Sequence, residues 1–313
     1  MTEPRRVRQL VAAVGAVTLA AFVHGCGDDA TSGPRVDGSA AEESDASPHD
    51  AGGGSDAPSF RADDYLELAL WLDAADDDTI TEVQHGRVAV WNDKSGRGNH
   101  AYQGSDRLMP TRVANARAER ATLRFDGAYL TTSDPIQLRA NSAGYTVFAV
   151  AMNTVADGVE DSAERGGIIL GSFGRSEPNV GIELHHDRRL RHWWDRRDGP
   201  DQPADGNRGD AILAEPRPDE GAYAILLFTL DAERGLAGGG VDGAFAEEPD
   251  TGPPYEVRTP LRIGADYREQ PLSVAFRGEL AEIMVFERLL SADDIATVHA
   301  YLSHKWEIAL RAR

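Results

Sequence analysis

The sequence predicts an all-β sandwich or barrel closed by one C-terminal helix. Three observations carry this. Short apolar or alternating runs recur from residue 65 onward, separated by glycine-rich turns. Little helical periodicity lies between them. One capped amphipathic stretch closes the chain.

The elements follow in order. Leu66, Leu68, Leu70 and Leu72 alternate, which is the period of a strand, and Asp73, Asp76, Asp77 and Asp78 turn the chain. Residues 88–92 form the next strand and run into a polar loop, residues 91–101. Leu123 and Phe125 alternate before a turn at Asp126-Gly127. Residues 145–152 are uniformly apolar and read as a strand buried on both faces. Strands at 167–170, 180–185 and 190–194 follow, the last two joined as a hairpin through residues 186–189. Residues 195–221 are rich in Asp, Gly, Pro and Arg and read as one long loop. An apolar strand at 223–230, a glycine-rich hairpin turning at Val241-Asp242-Gly243, and strands at 261–264 and 280–286 complete the set. Ser291 caps the final helix, with Asp293 and Asp294 in its first turn. Its apolar stripe is Ile295, Val298, Leu302 and Trp306, which predicts packing on the edge of the sandwich.

The N-terminal part has another character. Arg5, Arg6 and Arg8 precede an uncharged run, residues 10–23, in the pattern of a secretory signal and too short to span a bilayer as a helix. The run ends in Val23-His24-Gly25-Cys26, which resembles the bacterial lipobox. The expected organisation is a signal peptide over 1–25, an acidic tether over 26–60 and a β-sandwich over 61–313. Cys26 is the only cysteine, so no intrachain disulfide forms, and lipidation accounts for it. The tether has almost no aliphatic residues and cannot offset its ordering entropy. It would reach on the order of 30 Å. A net charge of −20 argues against nucleic acid as a partner.

Several segments resemble the laminin-G-like domains of the concanavalin A-like lectin/glucanase superfamily. They are Leu70-Trp71-Leu72-Asp73-Ala74-Ala75-Asp76, Val90-Trp91-Asn92-Asp93-Lys94-Ser95-Gly96-Arg97-Gly98-Asn99-His100-Ala101 and Phe125-Asp126-Gly127-Ala128-Tyr129-Leu130, with residues 276–286 and 290–306 at the far end. The resemblance spans roughly residues 65–307 and rests on the two ends. It implies a jelly-roll sandwich of two antiparallel sheets, mostly non-catalytic modules that bind glycans or proteins, often with calcium. It also places the first and last strands close together.

Candidate chemistry is sparse. Asp93 and Asn99 present oxygen on the turn, and Glu282 on the closing strand could complete a structural calcium site; the same turn residues also suit local hydrogen bonding. His185, His186 and His192 match no zinc spacing. Trp193 and Trp194 are neighbours on a strand, so one faces the core and the other is available to a sugar ring, beside Asp195 and Arg196. Catalytic carboxylates are not recognisable. Glu160 and Glu164 lie in a polar stretch, and Glu279 and Glu282, three apart on a strand, should face opposite ways. No Gly-x-Ser-x-Gly elbow occurs. The expectation is a non-catalytic bacterial envelope module for a glycan or surface protein, membrane-anchored through Cys26. The alternatives are a polysaccharide hydrolase or lyase of the same fold, or a spacer domain without a specific ligand.

Overall fold

The computed structural model describes residues 60–139, 144–154, 167–172, 178–184, 187–195, 208–250, 252, 254–265 and 275–311. The signal segment, Cys26, nearly all of the tether, Glu160, Glu164, His185, His186 and Arg196 lie outside these residues.

Seventeen strands and one α-helix follow one another among the described residues. The strands are β1 Leu68–Asp73, β2 Ile80–Glu82, β3 Val88–Trp91, β4 Ala101–Tyr102, β5 Thr111–Arg117, β6 Arg120–Asp126, β7 Leu130–Thr132, β8 Tyr145–Asn153, β9 Gly167–Ser172, β10 Asn179–Leu184, β11 Leu190–Asp195, β12 Arg208–Leu213, β13 Tyr223–Asp231, β14 Leu236–Val241, β15 Ala244–Pro249, β16 Leu261–Ile263 and β17 Arg277–Phe286. Helix α1 is Ala292–Trp306. The strands form two antiparallel sheets. Sheet A runs β15-β14-β13-β8-β17-β6-β5, with β1 also on β17, and sheet B runs β12-β11-β10-β9-β16-β7-β4-β3-β2. This is the expected all-β sandwich with one C-terminal helix.

Two apolar layers hold it together. The larger lies between the sheets and includes Leu70, Leu72, Trp91, Val147, Ala149, Ile169, Ile182 and Phe228. The second covers the outer face of sheet A, where Trp71, Phe148, Met284 and Phe286 meet Val298, Leu302 and Trp306 of α1. The central strands of sheet A are therefore buried on both faces, which is why β8 reads as an unbroken apolar run. The helix sits on the face of sheet A, not on the sandwich edge as its stripe predicts. Edge position would leave Phe148, Met284 and Phe286 in water. Ser291 caps it as expected, its hydroxyl accepting from the Asp294 amide at 3.1 Å. Phe60, assigned to the tether by composition, stacks on Tyr65 at 5.0 Å and edges onto Trp71.

Three further departures have local causes. Leu66 is 78% exposed and lies outside β1. A bulge between Leu68 and Leu70 then sends Leu68 to the outer layer while Leu70 and Leu72 enter the inner one. Residues 195–221 are not one irregular loop: β12 pairs with β11 from Leu190↔Leu213 to Asp195↔Arg208. Its Gly and Asp have low strand propensity, but Ala211 and Leu213 face the core. The glycine-rich hairpin is real, as β14 and β15 around Asp242-Gly243.

Truncating Trp306, fully buried under α1, is expected to cost about 3–5 kcal/mol. Denaturant unfolding of Trp306→Ala measures it.

Candidate functional site

The polar loop after β3 is a clasp. Asp93 Oδ1 accepts from the Trp71 and Ser95 amides, both at 2.9 Å, while Oδ2 accepts from the Ser95 hydroxyl at 2.7 Å and the Asn99 amide at 2.9 Å. The Asn99 side chain donates to Ala69 O. Positive φ at Gly96 and Gly98 lets the turn close. Both oxygens of Asp93 thus face N–H and O–H donors, which is the wrong surrounding for a cation.

Glu282 serves a different partner set. Its Oε1 accepts from Trp71 Nε1 at 2.7 Å and the Tyr301 hydroxyl at 2.9 Å. Its Oε2 accepts from Lys305 Nζ at 2.8 Å and Trp306 Nε1 at 2.7 Å. The three residues expected to share calcium therefore do not converge. Among the described residues no group of three His, Cys, Asp or Glu side chains is arranged for a metal, the Asp73–Asp78 turn included.

The loop instead supplies a cation of its own. Lys94 Nζ reaches Asp73 Oδ2 at 2.9 Å and Asp76 Oδ2 at 2.7 Å, and lies 4.6 Å from the Trp71 ring centroid. Asp73 stands directly opposite Glu282 in the β1–β17 register. Two carboxylates so placed, about 4.5–5.5 Å apart at Cβ, repel. Lys305 Nζ lies between them, 2.7 Å from Asp73 and 2.8 Å from Glu282. Burial opposes ionisation of Asp73, but Lys305 and then Lys94 outweigh it and hold this carboxyl below its usual range.

A second correction concerns Glu279 and Glu282. A bulge between Leu280 and Glu282 puts them opposite Met152 and Val150, two residues apart on β8, so both project from the outer face of sheet A. Neither carboxylate is open. Glu279 accepts from Thr122, Arg124 and Tyr223, and it is 2% exposed.

The tryptophan pair divides as strand alternation requires. Trp194 belongs to the inner core and lies against Gly209 and Gly252, where a Cβ would come within 3 Å of its ring. Beside it Arg139 and Asp250 form a buried bidentate pair, both bonds 3.0 Å. Trp194 is therefore withdrawn as a sugar contact, and buried Asp195 with it. His192 is also interior. It donates from Nε2 to Gly238 O at 2.8 Å and accepts from the Tyr145 hydroxyl at Nδ1, 2.7 Å away. Burial pushes it down to about 4, so it is a neutral core residue and no zinc ligand.

Trp193 projects from the opposite face of sheet B. It is half-buried, and its indole covers Gly181, whose added Cβ would lie 2.5 Å from the ring. Two residues along, Arg191 bridges two carboxylates, Glu183 at 2.8 Å and Asp210 at 2.9 Å. Glu183 is buried, whereas the Asp210 side chain is 42% exposed. Sequence reasoning found Trp193 but missed this trio. It comes together only when β10, β11 and β12 pair.

Neither a family model nor a curated protein sequence matches the chain. Among solved structures, domain 4 of AbnA, a GH43 extracellular arabinanase from Geobacillus stearothermophilus in complex with arabinotriose, is 10% identical over 75% of this chain and 97% of its own, with a TM-score of 0.46. Trypanosoma rangeli sialidase in complex with sialic acid is 15% identical over 76% of this chain, with a TM-score of 0.44. NanB sialidase from Streptococcus pneumoniae is 14% identical over 56% of this chain, with a TM-score of 0.40. The chain spans about a third of the T. rangeli sialidase and 27% of NanB. Because these neighbours are named as enzymes, the expectation of a non-catalytic domain is withdrawn. At these identities and TM-scores the likeness assigns no activity in its place.

Two predictions follow from the clasp. Glu282→Ala leaves the Lys305 ammonium without one of its two carboxylates in a buried setting and is expected to cost about 3–5 kcal/mol by urea unfolding. The stability difference between wild type and Asp73→Asn is expected to be full above the ordinary carboxylate value, about pH 4. It shrinks as pH falls through the lower folded-state value, because a depressed pKa stabilises only while the group is ionised. A difference that stays constant from pH 6 to pH 2 contradicts this.

Proposed function

We propose that the sandwich engages a polysaccharide at the outer face of sheet B beside Trp193, in an exported chain held at a bacterial membrane by lipid on Cys26. The observation that carries the reading is the half-buried Trp193 indole beside the Arg191–Asp210 pair. A sugar ring offers a C–H face and a rim of hydroxyls. An indole edge with a guanidinium and a carboxylate next to it meets both needs. Gly181 lets the indole lie down on the sheet, which limits the rotamer entropy lost on binding.

A second reading takes the same surface as hydrolytic. Glu183 and Asp210 are two carboxylates on one face, joined through Arg191, and glycoside hydrolysis uses such a pair.

The test is a panel of soluble polysaccharides with two readouts, affinity and release of reducing sugar. Trp193→Ala is expected to weaken binding tenfold or more, about 1.4 kcal/mol, without lowering the unfolding midpoint. Equal affinity of wild type and Trp193→Ala removes the binding reading. Sugar release abolished by both Glu183→Gln and Asp210→Asn selects the hydrolytic one, and release unaffected by them excludes this pair. Detergent partitioning of wild type and Cys26→Ala tests the anchor. The variant is expected to move to the aqueous phase.

A further inference from the structure

The opposite edge of the sandwich carries a groove of about 450 Å³ that the Trp193 surface does not involve. It lies where β5 and β6 of sheet A meet the chain from Asp77 to β2 of sheet B. From β11 to β2 is seven strand spacings along sheet B, on the order of 30 Å. Its alanines, Ala75, Ala114 and Ala121, leave room, and its charged or polar walls are Asp77, Glu82, Arg112, Asn115, Glu119 and Arg120.

The walls are held in place. Arg112 gives one terminal nitrogen to Glu82 at 2.9 Å and the other to Asp77, tying one sheet edge to the other. The β5–β6 hairpin is fixed from behind, where Arg117 Nε donates to Trp306 O at 2.8 Å. The same hairpin concentrates backbone cost. Asn115, Ala118 and Glu119 have φ of 50°, 48° and 58°, three of the seven non-glycine residues with positive φ among the described residues. Ala118 and Glu119 are the two central residues of the β5–β6 turn, between paired Arg117 and Arg120, where positive φ matches the strand twist. Asn115 lies in the irregular stretch of β5, so the local backbone sets the direction of these side chains.

Hydrogen-bonding capacity remains unused there. Asn115 and Glu119 are exposed and make no side-chain hydrogen bond among the described residues. Arg120 makes one, to Ala118 O at 2.7 Å. Arg112 Nε is buried without an acceptor among the described residues, a state that folded proteins rarely leave uncompensated.

We infer that this groove binds a compact, neutral, polyhydroxylated ligand, one or two sugar residues in size. The volume lies at the lower end of the ligand-pocket range, about 300–1,000 Å³. No aromatic side chain lines it, so a flat apolar ligand finds no partner. Three carboxylates against two guanidinium groups, on a chain of net charge −20, disfavour an anion. Arg112 already pairs with Asp77 and Glu82, which leaves Glu119 as the one carboxylate of the lining outside that pairing and offers a cation no carboxylate cluster. Interleaved donors and acceptors suit vicinal hydroxyls, each of which both donates and accepts. The inference is independent of the Trp193 surface.

The test titrates the full chain with neutral monosaccharides and disaccharides, and with glucuronate and glucosamine as charged arms, following backbone amide shifts. Neutral sugars are expected to move the amides of residues 112–121. Ala114→Leu, on an exposed position of β5, fills the groove and is expected to weaken binding at least tenfold with an unchanged unfolding midpoint. Glu119→Ala is expected to weaken it without filling space, and Trp193→Ala to leave it unchanged. No shift with any neutral sugar overturns the inference. So does wild-type affinity in Ala114→Leu, or tighter binding of either charged sugar than of the neutral ones. Loss of polysaccharide binding in Trp193→Ala with groove shifts intact bears on the Trp193 surface alone.

Discussion

The fold depends on one ammonium group placed between two opposed carboxylates. Asp73 on β1 and Glu282 on β17 face each other across adjacent strands, an arrangement that would push the strands apart. Lys305 enters from α1 and bonds both. The same contact fixes where the helix lies, because Tyr301 and Trp306 donate to the same Glu282 carboxylate. Trp71 donates to it as well, and the Trp71 amide is held by Asp93. One buried carboxylate thereby joins the first strand, the last strand and the helix, while the polar loop locks the first strand from the other side. Buried charge of this kind is weak evidence for stability in itself. It does join β1, β17 and α1 at one point.

That arrangement also determines which sheet faces are covered. Helix α1 and its apolar layer cover the outer face of sheet A, and the two inner faces cover each other. The proposed sugar surface at Trp193, Arg191 and Asp210 lies on the outer face of sheet B, and the proposed Arg112–Arg120 groove on a sandwich edge. Both sites rest on pieces that the core anchors: β11 puts Trp194 into the core and Trp193 outward, and Arg117 ties the groove hairpin to the end of α1.

Some of these sites were legible in the chain and some were not. Alternation along β11 required that only one of Trp193 and Trp194 face outward, but not which one. That choice follows from Gly209, Gly252 and Arg139, which shape a core slot for Trp194. Simple alternation failed for Glu279 and Glu282, because a bulge adds a residue between them and returns both to one face. A bulge in β1 did the same to Leu68 and Leu70. Strand β12 was hidden by its composition, since Gly209 and Asp210 weaken the local signal and only pairing with β11 supplies the strand. The metal reading of Asp93, Asn99 and Glu282 counted oxygens correctly. Donors of the chain itself meet the Asp93 and Glu282 oxygens, Ser95 and Trp71 at the first and Trp71 and Lys305 at the second, while the Asn99 side chain is turned to donate to Ala69 O.

The sequence by itself determined the all-β class, the doubly buried character of β8, the hairpins at β10–β11 and β14–β15, and the capped terminal helix. These depend on periodicity and turn chemistry within a few residues, which the order of side chains specifies directly. Only the tertiary structure decided that α1 covers a sheet face, that Glu282 meets Trp71 from 211 positions away, and that Arg191 gathers Glu183 and Asp210. Such meetings depend on strand order, and bulges shift the register that local patterns assume. Charged groups add to this, because a carboxylate reads the same in sequence whether it awaits a cation, a substrate or a lysine of its own chain.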